Sequence, residues 1–494
     1  MEKESQLAKA RRNKLEEIRK IGINPYTYSY GQTHHAEEIN KKYAKLKKEE
    51  KAKDKVSVAG RIMQLREMGK VTFMHIQDQT EKVQLYFREN DLGKEKYKLI
   101  KLLDIGDILG AKGAVFKTKK GEVTVYVADF ELLTKSLLPL PEKWHGLKDT
   151  ELRYRQRYVD LVVNPEIREV FLTRDLLIEN MREFMKKRGY IEVSTPILQP
   201  IYGGAGARPF ESRLNALNMK VYMRISDEMY LKRLIVGGFE KVFEFSVDFR
   251  NEGIDRTHNP EFTLFEAMTA YTDYEDGMRL VEELTEYAIK KVKGTTKIRY
   301  LGKEIDFKTP WKRISVRDAI KKYAGVDIEK MSDDELGDML IKNNIKLEGG
   351  FNRGNAVLAL IEEFCEKHFV QPTILYDYPV ETSPLAKPKR GNPRYVERFE
   401  HYINCFEVGN HYSELNDPDI LIENWRKQEE ALKKGDATAQ RMDEDFIRAL
   451  KVGMPPTCGI GIGVDRMAML LTDQPSIRDV ILFPFMKPEE ERKG

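Results

Sequence analysis

The chain has 494 residues, of which 41% are hydrophobic and 33% charged, and its net charge is +4. It is too long for one ordinary core, so we expect two or three globular domains with a charged surface. It contains no run of 18 apolar residues, so no membrane span is expected. The first twenty residues have no apolar core and include Glu2, Glu4, Glu16 and Glu17, so we expect neither a secretory nor an organelle-targeting sequence.

The cysteines and the distribution of charge further restrict which kind of protein the chain can be. Cys365, Cys405 and Cys458 form no C-x-x-C pair, which argues against a disulfide framework or a Cys-type zinc site and fits a reducing cytoplasm. Residues 1–55 carry 15 Lys or Arg and nine Asp or Glu, a net charge of +6. This basic arm predicts an anionic partner, nucleic acid first, although a solvated helical face would give the same pattern.

The amino-terminal third changes from helix-like to strand-like sequence near Val56. We predict a basic helical arm over residues 1–54, with a helix at 3–20 that ends at "GINP". Five short strand-like runs predict a five-stranded OB-fold barrel over residues 55–136: "VSVAGRIMQL", "KVTFMHIQD", "KVQLYFR", "DILGAKGAVFK" and "EVTVYVADFELL". Such barrels bind single-stranded nucleic acid by stacking bases on exposed aromatic side chains beside polar and basic groups. Phe73, with Arg66 and Gln84 nearby in sequence, is the candidate for this binding surface. The alternative is that Phe73 packs in the barrel core, as most barrel aromatics do.

The remainder predicts an α+β body. A linker over residues 137–165 begins with "LLPLPEKWHG" and includes the predicted helix "ELRYRQRYVDLVV", and the body occupies residues 166–494. Its predicted parts are a long amphipathic helix at 167–189, a mostly β region at 201–301, a helical insertion near 310–370, and further strands from 372 with a charged helix near 418–434 and a final strand–helix unit. Because the strands mostly do not alternate with helices, we expect an antiparallel sheet flanked by helices.

Two neighbouring runs, "VFEFSVDFR" and "EFTLFEAMTAY", alternate as strands and are joined by the polar loop "GIDRTHNP". Alternation places Glu266 in a row with Phe262, Leu264, Met268 and Ala270. A buried carboxylate without a partner is costly, so Glu266 needs either an internal Lys or Arg or a cationic ligand.

A second group of acids lies in "RFEHYINCFEVGNHYSELNDP", where Glu400, Glu407 and Glu414 are seven residues apart. The central "VGN" and the aromatic flanks favour strands over a heptad helix. Strict alternation would separate Glu407 from Asn410, Tyr412 and Glu414, and a bulge at Val408–Gly409 would bring them to one face. Paired carboxylates of this kind suit Mg²⁺.

The segment "GIGIGVDRMAMLL" places alternate glycines on one face of a strand, where a flat ring or a phosphate chain can approach the backbone. Arg466 follows where a helix begins, in a position to bind phosphate or to stack on a base. The segment is not a G-x-G-x-x-G fingerprint, since residue 464 is Val464, and the chain has no G-x-x-x-x-G-K-[ST] loop. Arginines and a metal would therefore have to hold a nucleotide triphosphate.

Together these segments resemble the class II aminoacyl-tRNA synthetases, and among them the lysyl-tRNA synthetases. "RGYIEVSTPIL" is similar to motif 1 (near 186–198), "FRNEG" with "HNPEFT" to motif 2 (near 242–271), and "GIGIGVDRMAMLL" to motif 3 (near 459–486). "GGAGARPF", "YLKRLIVGGFEKVFE", "ELRYRQRYVDL", "SPLA" and "SELNDP" fit the same family, so the resemblance covers nearly the whole chain.

The resemblance implies an enzyme that activates L-lysine with ATP and transfers it to the 3′ end of tRNA(Lys). It implies that Arg250 and Arg466 are catalytic and that ATP is bound by Arg250, Glu252, His258, Asn259, Phe262, Glu407, Gly463 and Arg466. It implies that lysine is bound by Gly204, Glu228, Glu266, Asn410, Tyr412 and Glu414, and Mg²⁺ by Glu400 and Glu407. Phe73, Gln84 and Glu122 would read the anticodon, and motif 1 would form a homodimer interface.

One position departs from the family pattern: Met268 stands where a tyrosine is usual, and a thioether cannot replace the hydrogen bond of a phenol. The alternatives are an aspartyl- or asparaginyl-type synthetase, and a noncatalytic or protein-lysylating relative. The first would need cations in its amino-acid pocket, where this sequence offers Glu266 and Glu414. Retention of Arg250, Arg466 and the barrel argues against the second.

Overall fold

The computed structural model describes residues 5–141, 147, 149–347, 351–433 and 441–488. The start of the predicted arm (1–4), part of the predicted linker (142–146 and 148), the Gly-rich 348–350, and residues 434–440 and 489–494 lie outside the described residues. The chain divides into two compact units, Met1–Lys148 and Asp149–Gly494, and each is described by itself. No helix in the described ranges is both long and apolar enough to cross a membrane.

The first unit is a closed five-stranded barrel with the strand order β1–β2–β3–β5–β4. Its elements are α1 Gln6–Lys20, α2 Ala36–Lys42, β1 Lys51–Met68, β2 Val71–Gln77, β3 Lys82–Arg88, α3 Glu89–Leu92, α4 Lys94–Ile100, β4 Ile108–Lys117 and β5 Val123–Thr134. Neighbouring strands are antiparallel except β3 and β5, which are parallel. The five predicted strands and the barrel are thereby confirmed.

The arm packs on the barrel through its apolar side. Ile18 of α1 and Ala36 and Ile39 of α2 are buried in the same core cluster as the inward-facing strand residues Val58 and Leu85. The arm therefore contributes apolar side chains to this unit's core, and most of its lysines remain at the surface.

The second unit is built on an eight-stranded sheet with the order β14–β15–β16–β17–β18–β11–β10–β6. Its helices are α5 Thr150–Arg155, α6 Arg157–Val163, α7 Ile167–Lys187, α8 Glu228–Val236, α9 Tyr274–Lys293, α10 Val316–Tyr323, α11 Asp333–Lys342, α12 Arg353–Leu360, α13 Pro418–Lys433, α14 Glu444–Val452 and α15 Val464–Thr472. Its strands are β6 Ile191–Glu192, β7 Leu198–Gln199, β8 Glu211–Leu214, β9 Met219–Met223, β10 Lys241–Phe249, β11 Glu261–Ala270, β12 Lys297–Tyr300, β13 Lys303–Asp306, β14 Lys312–Ser315, β15 Thr373–Pro379, β16 Tyr395–Ile403, β17 Phe406–Ser413 and β18 Thr457–Gly463.

This sheet is antiparallel except at its two ends, where β14 pairs with β15 and β6 with β10 in parallel. Helices α7, α9 and α15 cover one face, and their apolar side chains join residues such as Phe243 and Phe265 in the largest core cluster. Helices α8, α13 and α14 pack with Val242 and Met268 on the other face. A cavity lies over the middle of that second face.

One expectation differs from the structure. The region 201–301 contains the helices α8 and α9, so the expectation of a mostly β region is wrong there. The helix-like run "ELRYRQRYVDLVV" within the predicted linker 137–165 forms α5 and α6, as predicted. Both helices pack within the second unit: the hydroxyl of Tyr154 donates to Asp479 at 2.8 Å, and Arg157 pairs with the fully buried Asp160. The helical insertion near 310–370 contains α10, α11 and α12 with a core of their own.

Candidate functional site

A cavity of about 340 Å³ lies over the open face of the eight-stranded sheet. One row of directly paired residues on four adjacent strands forms part of its lining: Glu266, Gly461, Asn410 and Glu400. Residues paired across strands point to the same face, so the strand register brings these distant sequence positions onto one surface.

The predicted bulge in β17 is confirmed. His401 pairs with Gly409 and Tyr402 pairs with Glu407, which leaves Val408 as the extra residue. A bulge shifts the alternation by one residue, so Glu407 lines the cavity together with Asn410 and Tyr412.

Two arginines and an aromatic ring line the cavity. Arg250 follows β10 and Phe262 begins β11, and the guanidinium carbon lies 5.0 Å from the ring centroid. Arg466 lies in the first turn of α15, where it donates to the Glu407 carbonyl at 2.7 Å and lies 3.1 Å from Nε2 of His258. Guanidinium groups so placed can bind an anion or stack on a planar base.

The other residues predicted to bind ATP also line this cavity: Glu252, His258, Asn259, Glu407 and Gly463. His258 is oriented by Asp255, whose carboxylate lies 2.8 Å from Nδ1. Asn259 is buried and donates to the Glu261 carbonyl at 2.6 Å, while its own carbonyl oxygen has no partner within the described ranges. The loop between β10 and β11 therefore contributes both a hydrogen-bonded histidine and a buried, unsatisfied amide oxygen to the wall of the cavity.

Glu400 and Glu407 are carboxylates on the neighbouring strands β16 and β17. Burial and the negative charge of Glu400 raise the pKa of Glu407. Glu400 pairs with Arg398 and accepts hydrogen bonds from Tyr378 and Tyr402, both at 2.7 Å. Carboxylate oxygens that come from neighbouring strands and line one cavity fit a hard cation, so this pair meets the chemistry of a Mg²⁺ site.

The opposite part of the cavity is lined by Gly204, Glu228 and Tyr412. Gly204 has a φ of +89°, and a Cβ there would lie 2.8 Å from Oγ of Ser226. Any other residue at this position would be strained in its backbone and would also crowd the pocket wall.

Glu266 is buried at 8% exposure and still lines the cavity. Oε1 accepts a hydrogen bond from Ser226 at 3.1 Å, and Oε2 has no partner among the described residues. Burial, with the nearby charges of Asp248 and Glu228, raises the pKa of Glu266 to about 7. No Lys or Arg of the described ranges forms an ion pair with Glu266, so the internal-cation alternative finds no support there.

Glu414 has a different environment. It is 1% exposed, it does not belong to the lining of the cavity, and it pairs with the equally buried Lys232, which also pairs with Glu228. Met268 is fully buried, and a Cβ on Gly459 would collide with both the Glu414 carboxylate and the Met268 sulfur. Of the two carboxylates predicted to receive the lysine side chain, the structure brings only Glu266 to the cavity.

Sequence reasoning missed Asp227 and Asp248. Their carboxylates and that of Glu266 offer ligand atoms that all lie within 4.8 Å of one another, and all three are buried. Asp227 precedes α8, but its side chain accepts no hydrogen bond from the helix. It was missed because an Asp before a helix normally caps that helix, which is its ordinary structural role.

The barrel brings together the three residues predicted to read the anticodon. Gln84 donates to Glu122 at 2.8 Å, and Phe73 lies on the neighbouring strand with its ring centroid 5.0 Å from that of Tyr86. His75 also joins this group, with Nε2 lying 2.6 Å from Glu122. Sequence reasoning missed His75 and Tyr86, although both follow the strand alternation that includes Phe73 and Gln84.

Comparisons with known proteins agree with both units. Residues 149–487 match a family model described as tRNA synthetases class II (D, K and N), and residues 56–133 match one described as OB-fold nucleic acid binding domain. The chain is 52% identical over 487 residues to a lysine–tRNA ligase of Carboxydothermus hydrogenoformans, which covers 98% of this chain and 99% of that protein. It is 51% identical over 489 residues to the protein of that name from Thermoanaerobacter pseudethanolicus, with 99% and 97% of the two chains covered. A third protein of that name, from Clostridium botulinum (strain Loch Maree / Type A3), is 50% identical over 493 residues, with 99% and 97% covered.

Proposed function

The chain belongs to the class II tRNA synthetases of the D, K and N group, and from this premise we propose that it is an ATP-dependent lysine–tRNA ligase. The observation that carries the choice of amino acid is Glu266, a buried carboxylate in the cavity lining with one oxygen that has no partner in the described residues. A pocket for aspartate or asparagine would need a cation or a neutral donor here. The names of the similar proteins support the same choice.

ATP binds in this proposal at the arginine side of the cavity. The adenine ring stacks between Phe262 and Arg466, with Glu252 at its edge, and the phosphates lie toward Arg250 and His258. The basis is geometric: the guanidinium group of Arg250 is already placed against Phe262, and Arg466 is oriented by the Glu407 carbonyl. Asn259 and Gly463 line the same part of the cavity.

The lysine substrate lies across the paired row of the sheet. Its carboxylate approaches Asn410, its α-amino group lies between Gly204 and Glu228, and its side chain extends along Tyr412 toward Glu266. Arg398 supports this arrangement by donating to the side-chain carbonyl of Asn410 at 3.0 Å, so the amide NH₂ group is the end of Asn410 that would donate to the substrate.

The reaction needs positioning and charge compensation. A lysine carboxylate oxygen forms a bond to the α-phosphorus while the bond from that phosphorus to the pyrophosphate oxygen breaks, giving lysyl-adenylate and pyrophosphate. Arg250 and Arg466 stabilise the negative charge on the oxygens of the reacting phosphate, and no protein nucleophile is required. The terminal ribose hydroxyl of tRNA(Lys) then attacks the acyl carbon and releases AMP.

Glu400 and Glu407 would hold Mg²⁺ in this scheme, because they offer hard oxygen ligands from neighbouring strands beside the proposed phosphate position. When bound, the ion would neutralise phosphate charge and help to orient the triphosphate. Arg398 and the hydroxyls of Tyr378 and Tyr402 orient the Glu400 carboxylate for this role.

We also propose a homodimer formed through the motif 1 region. Ile191, Ile197 and Leu198 are exposed there, and Leu172 and Leu176 are exposed on α7. Exposed apolar side chains concentrated in one region of a protein favour an interface. The mass in solution, measured by light scattering, tests this proposal, and a monomer at micromolar concentration would reject it.

The decisive experiment is ATP–pyrophosphate exchange with each amino acid supplied separately. We expect exchange that depends on lysine and Mg²⁺, and a response to aspartate or asparagine, or to no amino acid, would contradict the proposal. Arg250→Ala should abolish the lysine response, because it removes a cation from the proposed phosphate site. Arg279→Ala is the matched control, since Arg279 is an exposed arginine on α9 that pairs with Asp276.

A further inference from the structure

Two buried histidines lie directly behind the floor of the cavity, and no step of the proposed reaction uses them. His401 follows Glu400 on β16, and His411 follows Asn410 on β17. Glu400 and Asn410 are paired across the two strands and line the cavity, so alternation directs the imidazole rings to the opposite face of the sheet. Both histidines are fully buried there.

A chain of hydrogen-bond contacts joins these rings to the backbone of β18. The N–H of Gly461 donates to Nδ1 of His411 at 3.2 Å, and Nε2 of His411 lies 2.8 Å from Nδ1 of His401. Nε2 of His401 has no partner among the described residues. Gly461 is the strand partner of Asn410 and lines the cavity. The first contact therefore ties β17 to β18 through a side chain, at the strand pair that forms the cavity floor.

The direction of this chain fixes the tautomer of both rings. A backbone N–H can only donate, so Nδ1 of His411 carries no proton. Burial, with His401 and Arg398 nearby, lowers the pKa of His411 well below its ordinary value, so the neutral ring carries its proton on Nε2. That proton is donated to Nδ1 of His401, whose own proton is therefore on Nε2. This order of tautomers is the one that gives the Gly461 N–H an acceptor.

The packing around the two rings is apolar. The ring of Phe399 stacks on His411 with the centroids 4.5 Å apart, and the ring centroid of Trp311 lies 5.8 Å from that of His401. A Cβ on Gly409 would lie 2.7 Å from Cε1 of His401 and 3.0 Å from Cε1 of His411, so glycine at this bulge position leaves room for the rings to meet. An apolar side chain could fill the same space, so packing alone does not require histidine.

We propose that His411 is a positioning residue for the amino-acid substrate and that His401 holds it in the required tautomer. The pair sets the position of Gly461, which lies on the strand between Glu266 and Asn410, the residues proposed to contact the two ends of lysine. A change at His411 should then weaken lysine binding without removing a group that touches lysine. The inference rests on the proposed function for the identity of the substrate, whereas the tautomers follow from the hydrogen bonds.

The test compares two substitutions for which packing and positioning predict opposite orders. His411→Asn keeps an acceptor close to the place of Nδ1, and His411→Leu fills the space without one. For packing alone, Leu should be tolerated better, because Asn buries a polar amide among apolar neighbours. For positioning, His411→Leu should raise KM for lysine in ATP–pyrophosphate exchange by about threefold to tenfold. His411→Asn should recover most of that loss, although it is the less stable variant in thermal unfolding.

The controls separate a shift of Gly461 from general damage to the core. KM for lysine should change more than KM for ATP, because Gly461 lies between the two residues proposed for lysine. Phe265→Leu removes a buried ring of the same core cluster and no hydrogen bond, so it should lower the melting temperature and leave KM for lysine unchanged. His401→Leu should give a smaller increase than His411→Leu. An unchanged KM for lysine in His411→Leu, or an equally high one in His411→Asn, would overturn the inference.

Nuclear magnetic resonance on the full chain, with histidine labelled by the heavy nitrogen isotope, reads the tautomers directly and needs no substrate. The chain has eight histidines, and the signals lost in His401→Leu and His411→Asn assign the two rings. We expect both rings to be neutral with the proton on Nε2. A proton on Nδ1 of His411 would overturn the inference even if His411→Leu failed to fold. Failure of the wild-type protein to respond to lysine in the exchange assay would instead reject the proposed function itself, so the two failures can be told apart.

Discussion

At the scale of single residues, the cavity is defined by which buried charges already have partners. Glu244, Glu228 and Glu414 are each paired with a buried Lys or Arg, whereas Glu266 accepts a hydrogen bond from Ser226 and pairs with no Lys or Arg of the described residues. A buried carboxylate left in this state costs stability in the absence of ligand. This loss of stability is expected of a residue whose role is to bind a ligand.

This cost should depend on pH. The pKa of Glu266 is about 7 in the folded protein against an ordinary value of 4.5, so the folded state holds this proton more tightly than the unfolded state does. Between those two values the contribution of Glu266 to stability falls as pH rises, by up to roughly 3 kcal/mol, and it stays constant above about pH 7. Glu266→Gln stays neutral throughout that range.

We therefore expect the melting temperature of Glu266→Gln, relative to wild type, to rise between pH 5 and pH 8 in thermal unfolding without ligand. Glu282→Gln serves as the control, because it removes a buried carboxylate that is paired with Arg313. A difference between Glu266→Gln and wild type that stays constant across this range would show that Glu266 is ionised in both states.

The sequence could predict that Glu266 needs a cation but not which groups surround it. Its place in an apolar row of β11 follows from alternation alone. The pairing of Lys232 with Glu414 joins a helix to the end of a strand that is distant in sequence, and no local pattern predicts which of several carboxylates a buried lysine will choose. Asp227 was missed for a related reason: an Asp immediately before a helix is ordinarily explained as a helix cap.

At the scale of secondary-structure elements, the site depends on β18 and on the register of the sheet around it. Gly459, Gly461 and Gly463 face the same side of this strand, but their surroundings differ. A Cβ on Gly459 would collide with the Glu414 carboxylate and lie 2.9 Å from the Met268 sulfur, whereas a Cβ on Gly461 would have its nearest neighbour, the Asn410 carbonyl, at 3.3 Å. A side chain at Gly459 is therefore excluded by packing, whereas a methyl group at Gly461 would make a close contact with the backbone and would enter the cavity floor.

Alanine at these two positions should therefore have different effects. Gly459→Ala should destabilise the protein by about 1–3 kcal/mol through overpacking and lower its melting temperature. Gly461→Ala should lower the melting temperature less than Gly459→Ala does and should raise KM for a substrate, because its methyl group enters the cavity. The two variants control for each other, and equal losses of melting temperature would contradict this assignment.

The sequence predicted the elements whose apolar residues recur with a clear strand or helix period. It did not predict a helix that lies between strand-like segments. The five barrel strands and the bulge at Val408 followed from alternation and from the need to bring Glu407 to the cavity side. Helix α9 was missed within a strand-rich region, although Asp273 and Asp276 form a capping box at its start and Gly294 ends it in the left-handed conformation. These capping residues are the sequence signal from which α9 could have been predicted.

At the scale of the whole molecule, the residues proposed to bind the amino acid and ATP and those proposed to read the anticodon lie in separate compact units. The amino-acid and ATP residues all belong to the second unit, and Phe73, Gln84 and Glu122 belong to the barrel of the first. The order of motifs in the sequence predicted this division, but it could not predict that the basic arm adds Ile18 and Ile39 to the core of the barrel.

This division predicts that a change in the barrel affects the tRNA step and spares amino-acid activation. In Phe73→Ala a base would lose a ring on which to stack, which is worth about 1–3 kcal/mol per base, so KM for tRNA in aminoacylation should rise roughly fivefold to a hundredfold. ATP–pyrophosphate exchange, which needs no tRNA, should keep its wild-type rate. The control is Tyr28→Ala, which removes a fully exposed aromatic of the same unit and should change neither assay. A fall in exchange along with aminoacylation would mean that Phe73 supports folding, and an unchanged KM for tRNA would remove it from the anticodon site.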